Sequence, residues 1–314
     1  MQASDLGRWT HPATILVATD LSDLDHLMPF ALEQAGEIGA RLILLHALSS
    51  SALFSADASG MPYFDKGSAL ETAHEMLRPW CEVAARRGIR CDALVREGHP
   101  TQQIAAAVGQ FKADRVLLGT RSRSKIGKLL LGSVAEQVLR SVYLPVMTVG
   151  PEAHLPVARG EERVVLHATT LRETSRPSAA LACQVAATQN AKLVLLHVLP
   201  PIEVMKRKHL PTGLDSSAMV ELRILAEETG AQCCSAVEPV VAHGNPSIEI
   251  LALASERRAG LIVLGATHRL ALENLTRDRT IYRVLAHARC PVLTLREPQA
   301  LPEEALASAT AAHR

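Results

Sequence analysis

Aromatic residues are scarce in this chain: two Trp, three Tyr and four Phe among 314 residues. With 48% hydrophobic residues, its core must therefore be aliphatic. Net charge is scarce too. Thirty-three Lys and Arg against 32 Asp and Glu leave +1, so no global field recruits nucleic acid. No run approaches the ~18 consecutive apolar residues of a membrane-spanning helix, and the first residues lack the basic-then-apolar pattern of a secretory leader. The six cysteines (Cys81, Cys91, Cys183, Cys233, Cys234 and Cys290) form no C-x-x-C pair and no Cys/His cluster with zinc-ligand spacing. The expectation is buried, reduced thiols in a cytoplasmic protein. The phosphate-loop motif G-x4-G-K-[ST] is also missing, which argues against an ATPase built on that loop.

What the sequence does have is a recurring order of short apolar runs. Residues 14–18 (TILVA), 42–47 (LILLHA), 115–119 (RVLLG) and 145–149 (PVMTV) read as buried strands, and 90–97 (RCDALVRE) as a weaker one. Helical stretches fall at about 25–38, 68–87, 101–110 and 133–141. Strands alternating with helices predict an α/β fold whose parallel sheet is covered on both faces.

The order then repeats in RVVLHA (163–168), KLVLLHV (192–198), SAVEPVVA (235–242), LIVLG (261–265) and PVLTL (291–295). Gly98 and Gly244, Gly119 and Gly265, and Pro145 and Pro291 are each 146 positions apart. One offset shared by three motifs marks an internal duplication. The boundary falls in GPEAHLPVARGEE (150–162), which has the Pro, Gly and charge signature of a linker. The domains predicted are 1–150 and 151–297, with an Ala-rich tail at 298–314. Two insertions, 49–67 and 200–217, read as irregular surface loops.

A local concentration of charge stands out in LLGTRSRSKIGKLLLGSVAE (117–136). Arg121, Arg123, Lys125 and Lys128 lie between the end of a strand and a helix opened by Gly132-Ser133. Glycine at the strand end permits a positive φ and close backbone approach to a ligand. A helix start offers unpaired N–H groups and the positive end of a dipole. Together these make an anion site. Asp20, in ATDLS at the end of the first strand, could accept hydrogen bonds from an adenine amine or a ribose hydroxyl. It could also merely cap the first helix with Ser22, and the basic loop could be a solvated surface.

The whole pattern resembles the universal stress protein family in its tandem two-domain form. Gly119, Ser122, nine further residues and Gly132-Ser133 fit the family loop G-x2-G-x9-G-(S/T), with Ser122 in place of the middle glycine. Residues 129–149, ATDLS and the Gly98-His99-Pro100 turn match other family motifs. The resemblance implies a Rossmann-like, doubly wound, five-stranded sheet in each domain, forming a pseudo-dimer through antiparallel pairing of the last strands. A further homodimer stays open. In nucleotide-binding members, the first-strand aspartate contacts the base and the residue after the second-strand histidine lines the adenosine pocket. The glycine loop and the helix start hold the phosphates. Carried over, this nominates Asp20, Ala47, Gly119, Gly132 and Ser133 for ATP or another adenine nucleotide, with or without Mg2+. Arg121, Ser122 and Arg123 of the basic loop join them.

The second copy departs from this pattern. Thr170 stands for Asp20, His268 for the middle glycine, and Asp278-Arg279 for Gly132-Ser133. A carboxylate at the helix start would fill the anion site and repel phosphate. Nucleotide binding is therefore expected in the N-terminal domain only, within a cytoplasmic stress-response module. The alternatives are a scaffold whose pockets are both vestigial, or slow ATP hydrolysis. His99 reads as a turn residue rather than a base.

Overall fold

Every apolar run read from the sequence is a strand in the computed structural model. It describes residues 3–48, 54–56, 62–64, 66–120, 131–155, 162–207, 213–233, 237–266 and 278–296. The first half runs α1 (Ala3–Thr10), β1 (Thr14–Thr19), α2 (Leu24–Ile38), β2 (Arg41–Leu48), β3 (Phe54–Ala56), β4 (Pro62–Phe64) and α3 (Lys66–Arg86). It continues with β5 (Cys91–Glu97), α4 (Pro100–Phe111), β6 (Arg115–Gly119), α5 (Ser133–Ser141) and β7 (Val146–Val149). The second half runs β8 (Val164–Ala168), α6 (Arg176–Thr188), β9 (Lys192–Leu199), α7 (Ile202–Arg207) and α8 (Leu214–Cys233). After these come β10 (Val237–His243), α9 (Pro246–Glu256), β11 (Leu261–Ala266), α10 (Asp278–His287) and β12 (Val292–Arg296).

Ten of these strands make one sheet, in the order β10-β9-β8-β11-β12-β7-β6-β1-β2-β5. Each half contributes five parallel strands, doubly wound. Side chains alternate between the faces, as strand geometry requires. Ile15, Val17, Leu42 and Leu44 join the core under α2, α3, α6 and α8. Leu16, Ala18, Ile43 and Leu45 join the core under α4, α5, α9 and α10. Burial on both faces explains why these strands read as continuous apolar runs.

The halves meet at β7 and β12, the one antiparallel pairing in the large sheet. Met147 faces Leu293, flanked by Val146 opposite Thr294 and Thr148 opposite Val292. The 146-residue offset makes Met147 and Leu293 equivalent, so a local two-fold axis passes between them. Glu136 and Tyr282 are equivalent by the same offset, and the Tyr282 hydroxyl donates to Glu136 Oε1 at 3.3 Å. Arg296 stacks its guanidinium over the Tyr143 ring, 4.4 Å from the centroid. Arg163 is ion-paired across the junction with Glu33 and Glu37. Gly150 sits so close to α10 that a Cβ there would lie 3.0 Å from the carbonyl oxygen of Leu285.

The Gly-x-Pro turns are also duplicated. Gly98 and Gly244 have φ of 122° and 153°, and each donates its N–H to the last residue of the second strand of its half, Leu48 or Leu199. A side chain at either position would be strained.

Two expectations are corrected here. The insertions are not wholly irregular: β3 and β4 pair antiparallel, Phe54 opposite Phe64, and α7 and the start of α8 fall within 200–217. The aromatic residues near 54 and 63 favour strand pairing. The cysteines are not all reduced either, since Cys183 is disulfide-bonded. Helix α1, which carries no sequence signal, is tied down by tertiary contacts. Arg8 pairs with Asp114 at 2.7 Å, and the buried Arg115 donates to the Trp9 carbonyl at 2.8 Å. The tail and the linker residues 156–161 lie outside the described residues.

His167 lies in β8, fully buried, where the first half has Val17. Its Nδ1–H donates to the Val263 carbonyl at 3.0 Å. Burial holds its pKa down to about 4, against an ordinary 6.5. The unfolded chain therefore takes up this proton first, and stability falls as pH drops from 6.5 towards 4. The loss amounts to roughly 3 kcal/mol. His167→Val should flatten that part of the stability–pH curve, measured by thermal denaturation; an unchanged slope would show that other groups set it.

Candidate functional site

Strand order reverses between β1 and β6, and a crevice opens beyond their carboxyl ends, where doubly wound sheets have room for a ligand. A cavity of about 280 Å³ occupies it. That is near the lower end of the ~300–1,000 Å³ typical of ligand pockets. Asp20, Ala47, Gly119, Gly132 and Ser133 all line it. Thus five residues nominated from four separate segments meet at one place. Arg121, Ser122 and Arg123 lie outside the described residues.

The turn after β1 is built around Thr19. Its Oγ1 accepts the Leu21 N–H at 2.9 Å and donates to Asp23 Oδ1 at 2.7 Å. Leu21 adopts φ of 73°, a left-handed conformation that costs a non-glycine residue about 1–2 kcal/mol. The Thr19 carbonyl accepts Nδ1–H of His46 at 3.0 Å, which locks β2 to the turn. Asp20 Oδ1 accepts the Ser22 N–H at 2.9 Å and its hydroxyl at 2.6 Å. Asp20 thus closes a local turn with Ser22 instead of capping α2, whose N-cap is Asp23, and it lines the cavity.

Asp23 is the residue that sequence reasoning missed. It occupies the N-cap position of α2, yet its side chain makes no cap hydrogen bond. The carboxylate turns instead into the cavity, over Gly119. A Cβ on Gly119 would come within 2.2 Å of Asp23 Oδ2. Gly119 is therefore required by the close approach of a carboxylate; it is not among the residues with positive φ. Burial pushes the Asp23 carboxyl above its usual range, against the bond from Thr19, and the nearby charge of Asp20 adds to the rise. The available signal was the D-L-S-D spacing, which reads equally well as an ordinary helix cap.

At the other end of the cavity, Gly132 is the N-cap of α5 with no side-chain cap, and Ser133, Val134 and Ala135 line the wall. The first-turn amides and the positive end of the helix dipole thus border the crevice. Leu45, Ile104 and Leu118 supply an apolar flank. The site is polarised: carboxylates at β1, a glycine-led helix start at α5, and aliphatic surface between them.

The second half keeps the frame of this turn but not its chemistry. The Thr169 hydroxyl accepts the Leu171 N–H at 3.1 Å, Leu171 has φ of 59°, and the Thr169 carbonyl accepts Nδ1–H of His197 at 2.9 Å. The duplicated histidines, His46 and His197, each tie the second strand of their half to this turn. Thr170 stands here in place of Asp20. The Thr170 hydroxyl bonds that of Ser175 at 2.7 Å, and Glu173 is 84% exposed and paired with Arg176. Helix α10 begins at Asp278, the position equivalent to Gly132.

Comparison with known proteins agrees with this architecture. The sequence model of the universal stress protein family matches residues 13–150 and again 162–296. A universal stress protein of Thermus aquaticus is 36% identical over 141 residues, spanning 43% of this chain and 97% of its own. The crystal structure of a universal stress protein from Archaeoglobus fulgidus matches with a TM-score of 0.69 and 23% identity, covering 92% of this chain and 98% of that one. A further match is the A. fulgidus universal stress protein in complex with dAMP. It is 16% identical, covers 44% of this chain and 98% of its own, and has a TM-score of 0.35.

Gly119→Ala should force Asp23 off Thr19 and cost about 1–3 kcal/mol. Asp23→Ala removes the obstructing carboxylate, so the double variant should be more stable than the sum of the single changes predicts. Thermal denaturation of the three variants tests this; strict additivity would mean that Gly119 does not make room for Asp23.

Proposed function

This chain belongs to the universal stress protein family as a tandem two-domain member, and on that premise we propose that it binds one adenine nucleotide, in its N-terminal half. The observation that carries the proposal is the polarised cavity between β1 and β6. Two carboxylates there disfavour phosphate at the β1 end and offer acceptors for an exocyclic amine or ribose hydroxyl. Base and ribose therefore belong beside Asp20, Ala47 and the aliphatic flank. The phosphates belong at Gly132 and Ser133, where amides and a helix dipole favour anions. Arg121, Ser122, Arg123, Lys125 and Lys128 follow β6 in sequence and would add charge and donors on that side.

ATP with its phosphate-bound Mg2+ is the form proposed. Among the described residues no group of three or more His, Cys, Asp or Glu is placed to hold a metal, so the ion would arrive on the nucleotide. The N-terminal restriction rests on the second half, where Glu173 turns to solvent, Thr170 bonds Ser175, and a carboxylate-bearing residue opens α10. The reading is of a cytoplasmic, regulatory binding module of the stress response. No described helix is long and apolar enough to cross a membrane. One observation favours the second reading, a partner-binding scaffold with vestigial pockets: Ser22 already occupies Asp20 Oδ1.

Titration of the full chain with ATP, followed by calorimetry, separates the two. One site per chain is expected. Gly132→Asp should weaken binding at least tenfold, about 1.4 kcal/mol, and Asp278→Gly should leave the stoichiometry at one. No binding would support the scaffold reading, and two sites would refute the restriction to the N-terminal half.

A further inference from the structure

We propose that Cys81 and Cys91 are a peroxide-reactive dithiol, which on oxidation becomes a disulfide stapling α3 to the edge strand β5. Their sulfur atoms lie 2.9 Å apart, ten positions separated in sequence. Both residues are half-buried, packed on their inner sides against the core. On the outer side both line an open cavity of about 390 Å³, together with Glu71, His74, Glu75, Arg78 and Asp92. This cavity is separate from the one at β1 and β6: Cys91 begins β5 at the opposite, amino-terminal edge of the sheet. The proposal does not depend on nucleotide binding.

The two thiols are not equivalent. The hydrogen bond between the two sulfurs lowers the Cys81 pKa, with burial and the charge of Asp92 working against it. The same hydrogen bond, with burial, raises that of Cys91. Cys81 is thus the sulfur that carries the negative charge more readily, and the thiolate is the nucleophile. Arg78, one helical turn before Cys81, stands at the same cavity as a cation. The other described thiol is unsuited to this role: Cys290 is buried, which pushes its pKa up to about 12. Cys183 is already bonded to another sulfur.

The chemistry balances with hydrogen peroxide as oxidant. The Cys81 thiolate attacks one peroxide oxygen, an S–O bond forms and the O–O bond breaks. The departing hydroxide takes up a proton as water, leaving a sulfenic acid on Cys81. The Cys91 sulfur, giving up its proton, attacks the Cys81 sulfur; the S–S bond forms, the S–O bond breaks and a second water leaves. Two thiols are oxidised and one peroxide is reduced to two waters. A disulfide needs the sulfurs at about 2.0 Å, so they must close by roughly 1 Å from the observed contact.

The full chain, treated with an equivalent of hydrogen peroxide at neutral pH, alkylated and mapped by mass spectrometry, tests the proposal. The expected result is a Cys81–Cys91 linked peptide that dithiothreitol reverses, with Cys290 alkylated only after unfolding. Cys91→Ser should accumulate dimedone-tagged sulfenic acid on Cys81. Cys81→Ser should slow peroxide consumption at least tenfold. For the wild-type chain, the oxidised form should melt a few degrees above the reduced one, a readout that needs no variant to fold. Cys81 and Cys91 both remaining alkylatable after peroxide, or a Cys91→Ser protein with no tag on Cys81 while circular dichroism shows it folded, would overturn the proposal.

Discussion

Met147 faces Leu293 across an antiparallel strand pair, and the two residues hold the same place in the two copies of a duplicated sequence. Both are fully buried. That contact fixes the rest of the molecule. Each half alone would present β7 or β12 as a short, apolar, unpaired edge, the kind of surface that recruits other chains. Pairing them within one chain satisfies both edges and makes a single sheet of ten strands. The flanking contacts (Glu136 with Tyr282, Arg296 over Tyr143, Gly150 against α10) then set the register in which α5 and α10 lie beside each other.

Duplication gave both halves the same scaffold and left their crevices free to diverge. The Thr-centred turn, the strained leucine and the strand-end histidine recur with nearly the same hydrogen bonds. These are backbone-shaping features, and they do not depend on what the crevice holds. The divergence lies in the side chains that reach into it. Asp23 enters the first crevice and requires a glycine beneath it, whereas Glu173 in the second turns outward to Arg176. The backbone frame is kept in both copies while the side chains at Asp20 and Thr170, and at Asp23 and Glu173, differ.

Much of this was legible in the sequence because the strands are buried on both faces. Such strands are unbroken aliphatic runs, and TILVA, LILLHA and RVLLG fall within a residue of β1, β2 and β6. The convergence of Asp20, Ala47, Gly119, Gly132 and Ser133 on one cavity was also foreseeable, since each stands at a strand end or helix start on the same edge of a parallel sheet. Helix α1 was not legible, because its eight residues are held by Asp114 and Arg115 from across the fold and not by their own propensity. Nor was the inward turn of Asp23, since an aspartate before a helix looks the same whether it caps the helix or leaves it uncapped.

The sequence by itself determined the α/β class, the duplication and the positions where a ligand has room, because these follow from hydrophobic periodicity and from glycines spaced along one chain. Only the tertiary structure decided which groups share a space: the carboxylate of Asp23 above Gly119, Met147 opposite Leu293, and two sulfurs ten residues apart brought within 2.9 Å. Such proximities arise when separate elements pack against one another. They depend on side-chain direction and distance, which residue order does not encode locally.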